Sequence, residues 1–310
     1  MEFLKKVPSI RFMAQRRVWY TISAVMIGAS LLALGLRGLN LGIDFTGGVV
    51  VEATFPTAVD IERTRGALVG AGLTAAQVQN FGTSRDILVR LPPADKGDAN
   101  AVGRAVEGAL RTVDPKVVVK RTEIVSGQVG KELLTKGLQA MGMTLLLILG
   151  YIAVRFRWKF GVGAVLATMH DPIVVLGIFA ITGMTFDLTV LAAVLAVIGY
   201  SVNDTVVVFD RVRERFHTLR KATPTEVFDR SVNETLSRTI ITSGSTLIVV
   251  VALYLFGGET LRGFGLALII GILVGTYSTI YVASGVALDL GTSHQDLLPS
   301  ERRAPVDDLP

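Results

Sequence analysis

The run IGYSVNDTVVVFDRVRER, residues 198–215, places an aspartate, Asp204, six residues before an Asp210–Arg211 pair that closes a long apolar stretch. An ionised aspartate in a bilayer costs at least about 2.5 kcal/mol on insertion scales, so it needs a partner or a role that involves protonation. A cation stands at the mouth of the next apolar stretch, where Arg238 precedes TIITSGSTLIVVVALYLF. If both stretches are helices joined by a loop on one side, Asp204 lies about 9 Å from its helix end at 1.5 Å per residue, close in depth to Arg238. An Asp–Arg contact is then sterically sensible, and the pair is a candidate for proton exchange. Arg238 has a second reading as a charge that snorkels to the headgroups. Thr242, Ser245 and Thr246 follow Arg238 at helical spacing and, with Asn203 beside Asp204, outline one wall of a polar pathway.

A second group lies in ATMHDPIVV, where His170, Asp171 and Pro172 are adjacent in the middle of another apolar stretch. Two readings stand: a proline kink whose freed carbonyls are satisfied by neighbours, or a titratable relay of histidine and acid. Other chemistries fit poorly. The chain has three histidines, with no H-E-x-x-H, and no cysteine, so no metal site and no disulfide are expected. No G-x-S-x-G is present. SGQVGKEL lacks the glycine spacing of a phosphate loop and carries Glu132 where Ser or Thr belongs. An aspartic-protease dyad of Asp171 and Asp204 fits less well than a proton relay. No enzyme and no cofactor are expected, only protons as the coupling ion.

The elements that must hold these residues are membrane helices. Half of the 310 residues are hydrophobic and 18% are charged, too apolar a balance for an ordinary soluble enzyme. Six stretches meet the demand of about 20 apolar residues per span: 18–36, 138–154, 162–181, 188–208, 239–256 and 264–288. Lys5, Lys6, Arg11, Arg16 and Arg17 precede the first, which reads as an uncleaved anchor with the N-terminus inside. The basic loops at 155–159 and 209–237 and the tail with Arg302 and Arg303 then fall on the same side, giving six spans with both termini cytoplasmic. Residues 37–130 form an outer domain whose periodicities read βαββαβ, the ferredoxin-like split βαβ arrangement. The expected fold class is thus an α-helical integral membrane protein with one α+β periplasmic domain. Residues 1–36 comprise the N-terminus and first span, and 131–290 the other five. In the 209–237 loop, Thr223, Pro224 and Glu226 start a separate helix with a Phe228, Val232, Leu236 stripe, lying on the membrane surface or serving as a docking face. Gly271 and Gly275 form a helix-packing face. The polar tail, 291–310, reads as unstructured.

The segments LNLGIDFTGGVVVEATF, HDP, IGYSVNDTVVVFDRVRER and ETLSRTIITSGSTLIVVVALYLFGG together resemble the SecF family of bacterial protein translocase subunits, over nearly the whole chain. The resemblance implies a member of the resistance-nodulation-division superfamily in the inner membrane. It would work with SecD, the SecYEG channel and YajC, drawing on the proton motive force to move unfolded polypeptides. Membrane lipid is the remaining expected partner, and nucleic acid is not one. The resemblance assigns Asp204 and Arg238 to proton-coupled work. It also makes Gly42, Ile43, Asp44, Phe45, Gly47 and Gly48 the family's glycine-rich motif, at the hinge between membrane and outer domain. Two alternatives remain. A small-molecule or lipid exporter would need larger outer domains, and a non-energised scaffold would tolerate loss of Asp204.

Overall fold

The computed structural model describes residues 7–92 and 99–294. In chain order, α1 (Arg16–Leu36) is followed by β1 (Asn40–Leu41) and the single turn α2 (Ile43–Thr46). The α/β domain then runs through β2 (Gly48–Thr54), α3 (Ile61–Gly70), β3 (Gln77–Phe81), β4 (Thr83–Leu91), α4 (Ala99–Val113) and β5 (Val118–Val125). The chain returns through α5 (Gly127–Arg155), α6 (Trp158–Thr182), β6 (Thr185–Phe186), α7 (Leu188–Thr218), α8 (Pro224–Phe256), α9 (Gly258–Tyr277), a π turn (Ser278–Ala283) and α10 (Ser284–Asp289).

Six of these helical stretches are long and apolar enough to cross a membrane. They are not equally enclosed. The apolar windows of α6, α7 and the α9–α10 stretch are 61%, 56% and 61% buried, whereas those of α1, α5 and α8 are 11%, 11% and 17%. The first three therefore form the interior, and the last three carry apolar surface that lipid or another membrane chain must cover. Gly271 sets the α9–α7 approach, since a Cβ there would lie 2.1 Å from Val197 Cγ2. This is the packing face that Gly271 and Gly275 announce by their spacing.

The α/β domain has the expected βαββαβ order, and its four strands form an antiparallel sheet ordered β3-β4-β2-β5. Alternation sorts its faces: Val49, Val51, Ile87 and Val89 pack beneath Leu68 of α3 and Val106 and Leu110 of α4. Asp60 caps α3 by accepting from the Glu62 and Arg63 N–H groups. Asp86 ties the sheet together, accepting hydrogen bonds from Thr54 on β2, Thr83 on its own strand and Lys120 on β5. The Thr54 hydroxyl, then Thr83 and Lys120, hold its carboxyl well below the usual carboxylate range.

Three boundaries differ from the sequence expectation. The division at residue 130 falls inside α5, because the Ser126 hydroxyl caps that helix at Gly127 and no breaker follows until Arg155. The 209–237 loop is a helical hairpin rather than a loop with a separate surface helix. The Thr223–Glu226 capping box starts α8 as expected, but the helix continues for 33 residues through Arg238 into the span. Its Phe228–Val232 stripe is buried with Phe160, Val212, Phe216 and Met13, so this face is filled from within the chain. Residues 291–294 belong to the described structure, where His294 Nε2 donates to Leu219 O across 3.1 Å. The rest of the tail lies outside the described residues, as do Lys5 and Lys6.

Candidate functional site: buried acids in the helical bundle

Asp171 is fully buried in the middle of α6, and α6 passes through Pro172 without ending. A buried carboxylate requires hydrogen-bond donors, and three helical segments supply them. His170 Nδ1 stands 2.9 Å from Asp171 Oδ1. The Ser201 hydroxyl of α7 and the Ser278 hydroxyl of the π turn, the latter at 3.0 Å, both donate to Oδ2. Tyr277 OH lies 2.7 Å from His170 Nε2 and 3.4 Å from Ser23 Oγ on α1, which extends the network across the bundle. Gly275 leaves room for it, since a Cβ there would sit 3.4 Å from Asp171 Oδ2. The network can move a proton between carboxylate, imidazole and phenol with no atom travelling far. Its place beside a π turn is typical of such turns, which break α-helical register and favour functional sites.

Asp204 lies one turn along α7 from Ser201, with Thr205 next to it bonded to Thr279 of the π turn across 2.9 Å. It is 5% exposed, and its Oδ2 is buried with no hydrogen-bond partner among the described residues. The contact with Arg238 expected from matching depth is not formed. No ion pair joins them among the described residues, and the exposed Arg238 acts on Asp204 through space alone. The expected polar wall does not assemble either. Asn203 is exposed, and the Thr242, Ser245 and Thr246 hydroxyls donate to carbonyls of their own helix at Arg238, Thr239 and Thr242. Hydroxyl side chains in helices commonly bond back this way. Sequence reasoning missed the inter-helix links, which run through Tyr200 to Ser243 (3.2 Å) and Ser243 to Thr276 (3.2 Å). The available signal was Tyr200 and Ser201 preceding Asp204, and Ser278 continuing the Gly271–Gly275 stripe.

The glycine-rich segment sits at the α/β-domain end of the same helices. β1 pairs in parallel with β6, Asn40 opposite Thr185 and Leu41 opposite Phe186. The Asp44 carboxylate accepts from the Leu188 N–H at 3.0 Å, so it caps the first turn of α7 beside Asp187. Ile43 is buried, and Phe45 is buried against Phe186, Phe179 and Leu191. Gly42 donates its N–H to Phe186 O. Gly47 and Gly48 adopt φ of +73° and +126°, and a Cβ on Gly47 would lie 2.6 Å from Gly127 Cα at the start of α5. Only glycine fits this crossing. The motif is thus fastened to α7 through its first half and crosses the root of α5 with its second.

These features can be set beside known proteins. Residues 105–293 match the family described as protein export membrane protein SecD/SecF, C-terminal, and residues 32–59 match the SecD/SecF GG motif. The chain belongs to the SecD/SecF family. It is 46% identical over 309 residues to protein translocase subunit SecF of Pseudomonas aeruginosa, covering 98% of this chain and 99% of the relative. It is 44% identical over 301 residues to the SecF subunit of Vibrio alginolyticus, covering 97% and 96%. Among solved structures it is similar to SecDF, a translocon-associated membrane protein from Thermus thermophilus, with a TM-score of 0.82 and 36% identity over 91% of this chain. This chain spans 39% of that one. SecDF in its super-membrane-facing form gives a TM-score of 0.68 at the same identity and coverage. In this SecD/SecF-family chain, the GG-motif match covers the segment that fastens α7 and crosses α5, and the C-terminal match covers both buried acids.

Proposed function

We propose that this chain is an auxiliary subunit of the bacterial Sec protein translocase, in which protonation of Asp204 is coupled to the export of unfolded polypeptides. It sits in the inner membrane with both termini cytoplasmic and the α/β domain on the outer side. SecD is its partner, and it acts beside SecYEG and YajC at a late step of export. The SecF relatives matched over nearly their whole length and the two-fold longer SecDF chain support the translocase role and the SecD pairing.

The observation that carries proton coupling is the Oδ2 of Asp204, without a partner among the described residues, in a bundle where Asp171, a short distance along the same packing, is satisfied by three neighbours. A buried carboxylate without donors favours its neutral form, and a pathway that brings Arg238 closer favours the charged one. Exchange between the two states shifts helix packing, and one charge crossing the membrane supplies about 2.3 kcal/mol per 100 mV to do so.

Inner-membrane vesicles carrying the chain with its partner test this. Asp204→Asn keeps shape and removes titration, so early, ATP-driven translocation proceeds while stimulation by an imposed proton gradient is lost. Full stimulation in Asp204→Asn vesicles would make Asp204 structural and favour the non-energised scaffold.

A further inference from the structure

The α/β domain meets the bundle in two places. One is its root, where the chain enters through Gly47–Gly48 and leaves through Ser126–Gly127, backbone against backbone. The other spans a cavity of about 370 Å³ between the open face of the sheet and the α6–α7 turn. Arg90 on β4, half-buried, crosses it: Nη2 donates to Thr185 Oγ1 at 3.1 Å on β6, and Asp187 lines the same cavity. Asp187 is the N-cap of α7, and its Oδ1 accepts from the Val190 N–H (2.8 Å) and the Thr189 hydroxyl (2.7 Å). Burial pushes the Arg90 guanidinium down and Asp187 opposes that shift. Glu52, Arg121 and Glu123 from the sheet, and Asp44 and Arg262 from the bundle, line the same cavity.

We propose that Arg90 is a positioning residue that latches the α/β domain onto the outer end of α7, so that movement of α7 releases the domain to lift about its glycine root. The assignment rests on the proposed function, because it takes the helix bearing Asp204 as the moving part. Three features single out this contact. It joins the sheet to the turn across the cavity by one side chain. It ends on Thr185, two residues before the Asp187 cap of α7, whose first turn lies about 24 Å along the axis from Asp204 at 1.5 Å per residue. A charge-assisted bond of one side chain can be broken and remade, whereas the close-packed glycine root cannot.

The chain has no cysteine, so paired labels are clean. Spin labels on Val69→Cys, exposed on α3, and Ile181→Cys, exposed at the end of α6, report the distance between domain and bundle in the complex reconstituted in lipid nanodiscs. Arg90→Ala is expected to raise a longer-distance population about tenfold, the effect of losing one charge-assisted hydrogen bond. Thr185→Val, which leaves Asp187 in place, is expected to give a smaller rise in the same direction, and Arg90→Lys to return the distribution most of the way to wild type. If Arg90→Ala leaves the distances unchanged, or lowers only the melting temperature, the latch is overturned. The distances are read without export, so unchanged distances overturn the latch while leaving the Asp204 reading intact. Full gradient stimulation in Asp204→Asn vesicles, together with shifted distances in Arg90→Ala, does the reverse.

Discussion

Asp171 and Asp204 lie in one bundle in opposite circumstances, and their substitutions should separate accordingly. Asp171→Ala strands His170, Ser201 and Ser278 in the interior, which costs about 3 kcal/mol or more and should lower the melting temperature in detergent by several degrees. Asp204→Leu removes a carboxylate oxygen that has no donor, so thermal stability should hold or rise while gradient-driven export is lost. A marked drop in stability for Asp204→Leu would mean that the acid is structurally paired. In the α/β domain, Asp86 gives a pH dependence of definite sign. Its folded carboxyl titrates below its unfolded value, so its stabilisation is full above the ordinary aspartate pKa of about 3.9 and disappears as pH falls through and below it. Unfolding of the domain, followed by hydrogen exchange, should steepen below about pH 4, and Asp86→Asn should flatten that response. Sequence alone exposed Asp204, Asp171 and His170 because ionisable groups are rare in apolar runs. It left Ser201, Ser278 and Tyr277 as faint signals of position alone, since single hydroxyls are ordinary in membrane helices and gain meaning only when three helices converge on one carboxylate. Nor could matching depth reveal that Arg238 faces outward, because depth fixes only one of the two coordinates of a helix surface.

Elements were legible where their period was long. The α/β domain has the βαββαβ order that alternation and amphipathic spacing predict. The β1–β6 ribbon was invisible because two residues carry no period, and the continuity of α8 was hidden because a capping box marks a start but says nothing of an end. The root of the domain offers a sharp test at this scale. A Cβ on Gly130 would meet Gly47 N at 2.7 Å and Phe45 O at 2.9 Å, and neither backbone can turn aside. Gly130→Ala should therefore cost about 1–3 kcal/mol, seen as a lower melting temperature and easier proteolysis between the domain and α5. Gly142→Ala, on the same helix with nothing within 4 Å, should be neutral or mildly stabilising. Equal effects from the two would show that the crossing is loose.

For the whole molecule, the six-span arrangement predicts a simple labelling pattern in intact cells. A cysteine at exposed Lys116 of the α/β domain should react with an impermeant maleimide, and one at exposed Lys221 in the α7–α8 turn should not until the membrane is opened. Labelling of Lys221→Cys from outside would invert the topology. That turn is the tip of a projection whose length follows from its helices. At 1.5 Å per residue, α7 and α8 measure about 46 and 50 Å against a hydrocarbon core of about 30 Å. Glu234 of α8 holds Arg211 and Arg215 of α7, so the two helices leave the membrane as one stiff body, with Arg155 of α5 bracing Asp210 at its base. Because Asp44 fastens the far end of α7 to the glycine-rich segment, a tilt of about 10° about that point displaces the opposite end by about 8 Å over that length. The hairpin is a gauge needle: a fluorophore at its tip, never entering the bilayer, would register any such tilt of α7.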